Sequence, residues 1–367
     1  MLTITLSVPA DVASLRETWL SLQARAAGSF FQSWNWVGCL AAERFPAPIL
    51  LVGRDNGQLK ALALFNRRRD RWGTDALWLG EAGEHSLDSI FVEHNGPLIA
   101  ADADPQLLAA CLHAALVAPI EAKGGQGPRR LVLSGVADTQ LQIMRQAPGM
   151  VLRPVMTRAA PYVAIAALGP GEHAYLESLS ANARYQIRRS AKRYGESGRI
   201  LVKRAETVNE GYQFLQALSA LHQAAWNARG MPGAFSHPGM VRFHRALISQ
   251  ALPAGEIDLL RIAAGERVIG YLYNFRYRGR VLAYQSGFDY ASAAAHEKPG
   301  LTCHTAAIEM YRGLRLDAYD FLAGEDRYKT SLANAAQTMH WIDALPRWSV
   351  CGVRERLNAV LRRSMGR

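Results

Sequence analysis

The stretch RVLAYQSGFDYASAAAHEKPGL, residues 280–301, decides the fold. Its apolar first part predicts a strand that ends in Ser-Gly, a loop follows, and Lys298-Pro299-Gly300 begins a helix. Proline suits the first turn of a helix because its missing N–H is not needed there. A helix start offers unpaired N–H groups and the positive end of the helix dipole. This stretch therefore predicts either a pyrophosphate-binding site, with Lys298 as an added cation, or an ordinary helix start.

A second stretch, YDFLAGEDRYKTSLA, lies downstream at residues 319–333. It begins like a buried strand over Tyr319–Ala323, and Gly324 allows a sharp turn. Two acids and a Tyr-Lys pair then begin a short helical segment. Asp320 lies within the predicted strand, and a buried acid needs a partner. It is either a candidate general base or a member of a structural ion pair.

The order of predicted elements repeats in the two halves of the chain. Each half has helices, then a hairpin and a further strand, then a helix and a final strand. The fold class is therefore α/β (α+β), with two tandem modules joined near Thr157–Ala160, each a mixed, mostly antiparallel sheet flanked by helices. Domains are expected at 1–158 and 159–345, with a helical tail at 346–367. Helices are predicted at Asp11–Ala26, Ser33–Phe45, Pro105–Ala122, Glu172–Tyr194, Val208–Arg229, Gly239–Ala251 and Gly300–Gly313.

Length and composition indicate an ordinary folded protein. The chain has 367 residues, of which 49% are hydrophobic and 20% charged. The N-terminal sequence lacks the pattern of a secretory signal, and no uninterrupted apolar run reaches the roughly 18 residues of a membrane span. Four widely spaced cysteines, without a CxxC pair, favour reduced thiols and argue against structural zinc. We therefore expect a cytoplasmic protein without stable membrane insertion.

The net charge of +11 is concentrated in one segment, residues 181–204, which has eight Lys or Arg against one Glu. Arg184, Arg188 and Lys192 follow each other at intervals of four and form a cationic stripe on the predicted helix. Such a stripe predicts an anionic partner or a solvated basic helix. Coenzyme A phosphates, an acyl carrier protein and the acceptor stem of a charged tRNA all fit the first alternative.

Several common chemistries find no support. No calcium-loop spacing and no His-x-x-x-His pair is present, so no metal is expected. Cys303 and His304 are neighbours on a predicted helix and point about 100° apart, so one cannot activate the other. GxSxG, GxxxxGK[ST] and GxGxxG motifs are absent from the sequence.

The remaining pattern resembles the CelD-type acetyltransferases, a cellulose-biosynthesis-associated group within the GNAT superfamily that is akin to the Fem-type aminoacyl transferases. The matching stretches, in order, are SANARYQIRRSAKRYGESG, LHQAAWNARGMPGAF, RVIGYLYNFRYRGRVLAYQSGFD, the PGL helix start and GEDRYK. The resemblance implies two tandem GNAT modules with an acyl-donor site in the second and a degenerate first module. One departure is that FDYASAAAHEKPGL lacks the glycine pair of the usual GNAT phosphate-binding signature.

The resemblance also implies where the donor binds. In a GNAT fold, the strand that carries Tyr284, Gln285, Ser286 and Gly287 diverges from its neighbour, which exposes backbone groups to the pantetheine arm and the thioester. The following helix start would hold the pyrophosphate. The expected donor-binding residues are Tyr284, Gln285, Ser286, Gly287, Lys298, Pro299, Gly300, Leu301, Arg184 and Arg188.

The same resemblance, together with residue spacing, predicts the catalytic residues and those that bind the acyl acceptor. Fem-type enzymes suggest Lys329, with Tyr328, as the cation near the developing oxyanion, or else this pair anchors the C-terminal segment. His222 and Trp226 are four residues apart on one helix face. His222 is a candidate base or a structural histidine. Arg229 and Phe235 lie in a turn that lines an acceptor pocket or is only a loop.

We expect an N-acyltransferase that moves an acyl group from acetyl-CoA or another acyl-CoA to a small-molecule or saccharide amine. The transfer would be direct, in a ternary complex. An aminoacyl-tRNA-dependent transferase and a non-catalytic GNAT-like module in exopolysaccharide biosynthesis are the alternatives.

Overall fold

The computed structural model describes residues 1–69, 75–84, 87–88, 92–120, 130–324 and 326–365. The N-terminal half contains β1 (Leu2–Ser7), α1 (Arg16–Gln23), α2 (Trp34–Arg44), β2 (Pro48–Asp55), β3 (Gln58–Arg69), β4 (Asp75–Leu79), β5 (Leu98–Ile99), α3 (Leu107–Val117), β6 (Arg130–Ala137), α4 (Asp138–Gln146) and β7 (Met150–Ala164). The remainder contains α5 (Ala174–Glu177), α6 (Ala181–Gly195), β8 (Ile200–Arg204), α7 (Val208–Asn227), α8 (Pro238–Ala251), β9 (Ile257–Ala264), β10 (Arg267–Tyr277), β11 (Arg280–Phe288), α9 (Pro299–Gly313), β12 (Ala318–Asp320), α10 (Arg327–Leu332), β13 (Ala335–Pro346) and α11 (Val350–Met365).

The chain forms two compact units. One comprises Met1–Thr157 with Thr338–Arg367, and the other comprises Arg158–Gln337. The sequence prediction kept residues 159–345 together and treated 346–367 as a tail, whereas the structure groups the chain from Thr338 onward with the first unit.

In the first unit, strands β1, β2, β3 and β4 pair antiparallel in sequence order. β4 then pairs parallel with β6, and β13 adds antiparallel to β6. The predicted hairpin between β2 and β3 is confirmed, with positive φ at both Asn56 and Gly57, the geometry that a two-residue hairpin turn requires. A core of Leu, Ala, Phe and Met side chains buries α3 against this sheet.

The second unit has the same order of sheet elements. β8, β9, β10 and β11 pair antiparallel in sequence. β11 pairs parallel with β12, and β12 pairs antiparallel with the end of β7. The core includes Tyr175, Tyr311 and Tyr319, each fully buried. The prediction of mixed α/β sheets flanked by helices is confirmed.

Some predicted elements are wrong in extent. The helix expected over Glu172–Tyr194 is two helices, because Ser180 adopts an extended conformation and its side chain accepts the Ala183 N–H at the start of α6. This is the usual geometry of a serine N-cap. The strand expected over Tyr319–Ala323 ends at Asp320. β1, β5, α4, β7 and β13 were not predicted. The helix predicted over Pro105–Ala122 is too long, because α3 ends at Val117 where Ala118 becomes extended; Ala122 itself lies outside the described residues.

Candidate active site

A gap opens between β11 and β12 in the second unit. The two strands pair through only three positions, Arg280↔Ala318, Val281↔Tyr319 and Leu282↔Asp320. β11 then continues to Phe288, whereas β12 ends. The edge formed by residues 283–288 is therefore not paired with β12. Ser286 O accepts from His222 and Phe288 O accepts the Tyr290 N–H, so the groups that this edge offers to a ligand are backbone N–H groups.

The end of β12 is produced by the Asp320 side chain. Its Oδ1 accepts the Leu322 N–H at 2.8 Å, and Leu322 takes a positive φ of 60°. Its Oδ2 accepts from Arg280 Nη1 and from Gln337 Nε2, both at 2.8 Å. Asp320 is fully buried. Of the two roles predicted for this acid, the geometry favours the structural ion pair, because Leu322 N–H, Arg280 and Gln337 each donate to the carboxylate and so stabilise its charged form.

The β11 edge has a defined orientation. Asp289 N–H donates to Ile269 O of β10 at 3.0 Å. Backbone groups alternate in direction along a strand, so those of Ser286 and Phe288 point away from β10. A register shift opposite Tyr273 and Asn274 leaves Tyr284 as the extra residue of a bulge. The Tyr284 ring is buried, 4.3 Å from the Phe275 ring centroid, so only its backbone can face a donor.

Helix α7 packs directly onto this edge at Gly287. A Cβ at this position would lie 2.3 Å from the Leu218 carbonyl oxygen. Gly287 is therefore needed for the close approach of helix and strand. Gln285, Ser286 and Gly287 pair with β10 and lie beyond the last pair between β11 and β12; their role in donor binding stays a prediction.

His222 joins α7 to the same strand. Its Nδ1 is 3.0 Å from Ser286 O, and its Nε2 accepts the Ala234 N–H at 3.2 Å. Because Nε2 is an acceptor, Nδ1 carries the proton and donates it to the carbonyl. Burial, and next the charge of Arg229, lower the pKa of His222. Both ring nitrogens thus bind backbone, which fixes the loop after α7 against β11.

The residues expected at the acceptor pocket separate into two groups. Phe235 is buried between His222 and His244, with ring centroids 5.4 and 5.8 Å away. Phe235 therefore packs inside the loop after α7 and stabilises that loop. Trp226 is half-buried, and the exposed guanidinium of Arg229 lies 5.6 Å from its ring centroid. Only these latter two remain accessible to an acceptor.

Tyr328 and Tyr290 share their surroundings with Arg229. Partial desolvation raises the pKa of both phenols, although Tyr290 is half exposed, and the positive charge of Arg229 opposes this increase in each. The charge of Asp326 adds to the rise for Tyr328. Three segments that are distant in sequence therefore bring a guanidinium and two protonated phenols together. Tyr290 was not predicted, although it follows the quoted strand directly.

Tyr328 stacks on a buried histidine. Its ring lies 5.5 Å from that of His304, at an interplanar angle of 17°. His304 Nδ1 is 2.8 Å from the Tyr319 hydroxyl, and its Nε2 has no hydrogen-bond partner among the described residues. Burial, and next the charge of Lys329, lower the pKa of His304 to about 3. His304 is therefore a neutral platform for Tyr328.

Lys329 is directed at the turn after β12. Its Nζ donates to Ala323 O at 2.9 Å and to Leu322 O at 3.3 Å. Gly324 has a φ of 153°, and a Cβ there would lie 2.8 Å from Lys329 Nζ. The ammonium is half-buried and does not point into open solvent. Glu325, expected to cap this segment, lies outside the described residues.

A serine side chain of α6 holds the start of α9 in place. Lys298 N–H donates to Ser190 Oγ at 2.8 Å, and the same oxygen is 2.8 Å from Thr302 Oγ1. Pro299 is the first helical residue, and Gly300 lies against the Phe288 ring, so that a Cβ there would be 3.3 Å from Phe288 Cε2. The N–H groups of Gly300 and Leu301 belong to the first turn, where helices lack internal acceptors.

An ion pair stabilises the loop that precedes α9. Arg267 binds Glu297 through both nitrogens, at 2.8 and 2.7 Å, and donates to Ser292 O at 2.6 Å. This loop replaces the glycine-rich signature that the sequence lacks. The pKa of the exposed His296 is lowered first by desolvation and next by the charges of the neighbouring cations Arg189, Arg193 and Lys298. The loop therefore lies in a positive field.

The cationic stripe lies on the exposed side of α6. Arg188 and Lys192 are exposed, whereas Arg184 Nη1 donates to Leu179 O at 2.6 Å and caps the preceding turn. Ala183, Ile187, Ser190 and Tyr194 form the buried side. No group of side chains suited to hold a metal ion occurs within the described ranges.

Comparison with known proteins gives one family match and several structures of similar fold. Residues 181–330 match the family model of the acetyltransferase (GNAT) domain. FemX has the same fold, with a TM-score of 0.60 at 10% identity over 89% of this chain and 95% of that chain. L-PGS from Bacillus licheniformis has a TM-score of 0.54 at 10% identity, covering 94% of this chain and 95% of that one. No curated protein matches the chain.

Within the second unit, residues 181–330 thus match a GNAT acetyltransferase domain. The domain match includes β11, the gap and the start of α9. At 10% identity, the two structures show a shared fold only.

Proposed function

We propose that the protein is an N-acyltransferase that moves an acyl group from acyl-CoA to an amine by direct transfer in a ternary complex. The observation that carries this proposal is the divergence of β11 from β12 after Leu282 and Asp320, within the matched domain. A pantetheine arm is an extended chain with two amides. Its amide carbonyls can therefore accept from backbone N–H groups of the exposed strand edge, as those of an additional strand would.

The donor would lie along Gln285, Ser286 and Gly287, with its pyrophosphate at the N–H groups of Gly300 and Leu301. A helix start favours phosphate through its N–H groups and its dipole. Lys298 adds an exposed cation at this position. We assign the 3′-phosphate to the cations of α6, among which Arg188 is exposed and Arg184 is engaged by backbone.

In the reaction, the neutral amine attacks the thioester carbonyl carbon. A C–N bond forms, the C–S bond breaks and the thiolate takes a proton, while the amine nitrogen loses one proton to solvent as the amide forms, so the proton count balances. Tyr328 is our candidate donor of that proton, because its raised pKa keeps the phenol protonated. Backbone N–H groups of the β11 edge would stabilise the oxyanion.

We assign positioning roles to Lys329, Asp320 and His222. Lys329 holds the turn at Leu322 and Ala323, next to Tyr328. Asp320 ends β12 and so opens the gap. His222 fixes the loop that carries Arg229 against β11.

Trp226, Arg229 and Tyr290 are our candidates for the acceptor side. The exposed guanidinium of Arg229 favours an acceptor that has an anionic group near its amine. A small-molecule or saccharide amine of this kind fits these residues. Such an acceptor is also compatible with the resemblance to CelD-type acetyltransferases.

Isothermal titration calorimetry tests the donor. We expect acetyl-CoA or a longer acyl-CoA to bind, and the analogue without the 3′-phosphate to bind more weakly. The Arg188→Gln variant should lose this difference, whereas Arg54→Gln, which removes an exposed cation of the first unit, should retain it.

Two results would contradict the proposal. If no CoA thioester binds and an acyl carrier protein loaded with the acyl group does, the donor is protein-bound. If only aminoacyl-tRNA supports transfer, and ribonuclease abolishes it, the Fem-like alternative applies.

A further inference from the structure

Helix α11 exposes its hydrophobic side. Val350 is 86% exposed and Leu357 62%, and Val353 on the same side is also exposed. Trp348, just before the helix, is 77% exposed. Positions 350, 353 and 357 have the spacing of one helix face. A surface helix normally buries such a face, so this orientation needs an explanation.

The orientation of α11 is fixed by its opposite face. Gly352 is buried, and a Cβ there would lie 2.1 Å from Pro346 O. Glu355 is buried, and its charge acts on Arg153 of the same unit. Ser349 caps the helix by accepting the Gly352 N–H at 3.1 Å. The helix therefore cannot rotate its apolar side inward without burying side chains where only glycine fits.

The C-terminal segment that contains this apolar side is rich in arginine. The segment 347–367 contains six Arg and one Glu, which gives a net charge of +5. The guanidinium of Arg347 lies 5.5 Å from the Trp348 ring centroid, and that of Arg356 lies 5.4 Å from it. An exposed tryptophan between arginines beside an apolar helix face is the composition of helices that lie in a membrane interface.

We propose that α11 and Trp348 bind the surface of an anionic lipid bilayer. The apolar side would enter the boundary between headgroups and acyl chains, and the arginines would contact anionic headgroups. Among the described residues, no helix is long and apolar enough to cross a membrane. This inference is independent of the acyl donor and of the acceptor.

Charge complementarity favours lipid over a second copy of the chain. A twofold interface brings the same patch of two molecules together. Here it would place one segment of net charge +5 against another, and like charges in an interface oppose association. An anionic bilayer offers this patch both charges of opposite sign and an apolar phase.

Cys351 provides a local probe. It is exposed, whereas Cys39, Cys111 and Cys303 are buried, so an environment-sensitive fluorophore can be attached to Cys351 selectively. We expect its emission to increase and shift to the blue with vesicles of phosphatidylglycerol and phosphatidylcholine. With phosphatidylcholine alone, apparent affinity should be at least about tenfold lower, and high salt should release the protein.

A matched pair of triple variants separates the apolar face from general surface effects. Trp348→Ser, Val350→Ser and Leu357→Ser together should weaken vesicle binding about tenfold or more. Val155→Ser, Leu201→Ser and Leu314→Ser together remove exposed apolar side chains elsewhere and should bind like the parent. Circular dichroism should show the same helix content for all three proteins.

Three results would overturn the proposal: equal binding to neutral and anionic vesicles, no binding to either, or undiminished binding of the first triple variant. Sedimentation analysis tests the alternative that a second copy of the chain covers the apolar face of α11. A dimer that dissociates in the first triple variant would identify the face as a contact between copies.

Discussion

Tyr328 has the surroundings of a proton donor in the second unit. The neutral ring of His304 stacks on one side of it, and the charges of Asp326 and Arg229 act on its hydroxyl. Burial and Asp326 raise its pKa while Arg229 partly offsets them. A phenol in this state stays protonated across the physiological range, which is what protonation of a leaving thiolate requires.

Replacing Tyr328 by Phe should therefore lower kcat about 100-fold, since general acid catalysis typically contributes that much or more. The KM for the thioester should change little, because the donor is bound by backbone and phosphate contacts. Release of free thiol measures the rate. Tyr185→Phe, which removes an exposed phenol from α6, should behave like the parent. A Tyr328→Phe enzyme with unchanged kcat would contradict the assignment.

His304 should make stability depend on pH. Its folded pKa of about 3 lies below the unfolded value of 6.5, so the unfolded chain binds the additional proton between these limits. The free energy of unfolding therefore falls as the pH decreases below about 6.5, by up to about 1.4 kcal/mol per pH unit for this residue. Above that pH, His304 has no effect on the pH dependence of stability. His222, whose pKa is also lowered, acts in the same direction.

Urea unfolding at about pH 7 and about pH 5 measures this effect. The His304→Gln variant should lose less stability between the two pH values than the parent. An equal loss in both proteins would show that His304 titrates normally in the folded state.

Asp320 should matter for folding more than for proton transfer. The Asp320→Asn variant leaves the Arg280 guanidinium without its buried partner, and breaking such a pair typically costs about 3 kcal/mol. Glu266→Gln, in the exposed hairpin turn between β9 and β10, should change stability little. If Asp320→Asn unfolds like the parent but loses all activity, Asp320 is the base that the sequence left open.

Among the elements, the α7–β11 contact sets the shape of the donor edge. Gly287→Ala places a methyl group against the Leu218 carbonyl and should lower stability by about 1–3 kcal/mol, as overpacking does. It should also weaken acyl-CoA binding, because it moves the strand edge. Gly313→Ala, at a helical position with nothing within 4 Å, is the control and should be neutral or slightly stabilising. Normal binding by Gly287→Ala would show that this edge tolerates displacement.

The sequence predicts elements well where the signal is local. The strand, loop and helix start of residues 280–301 occur as predicted, because apolar alternation and a Pro-Gly helix start are local properties. The length of β12 was not predictable in this way. It depends on Asp320 binding Arg280 and Gln337, which only the folded sheet brings together.

Residue roles were less predictable than elements. The helix spacing places His222 and Trp226 on one face, but the backbone partners Ser286 and Ala234 come from other segments. The approach of Arg229 to Tyr290 and Tyr328 is equally non-local. Sequence periodicity carries no information about such contacts.

At the scale of the whole molecule, the two units share an order of elements but differ at the corresponding position. In the first unit, β4 and β6 pair through Leu79↔Leu133. Asn95 then donates its side-chain amide to Leu79 O at 2.8 Å and its N–H to Gly135 O at 3.2 Å. In the first unit, the segment at Asn95 therefore occupies the position beyond the last β4–β6 pair, where the second unit has its gap. We therefore propose a single donor site, in the second unit.

Hydrogen–deuterium exchange with a non-reactive thioether analogue of acetyl-CoA tests the central proposal most directly. Bound analogue should slow exchange in peptides that cover residues 283–288 and 299–301, and it should leave 76–79 and 131–136 unchanged. Protection confined to the first unit, or no protection along β11 at saturating analogue, would contradict a donor site between β11 and β12.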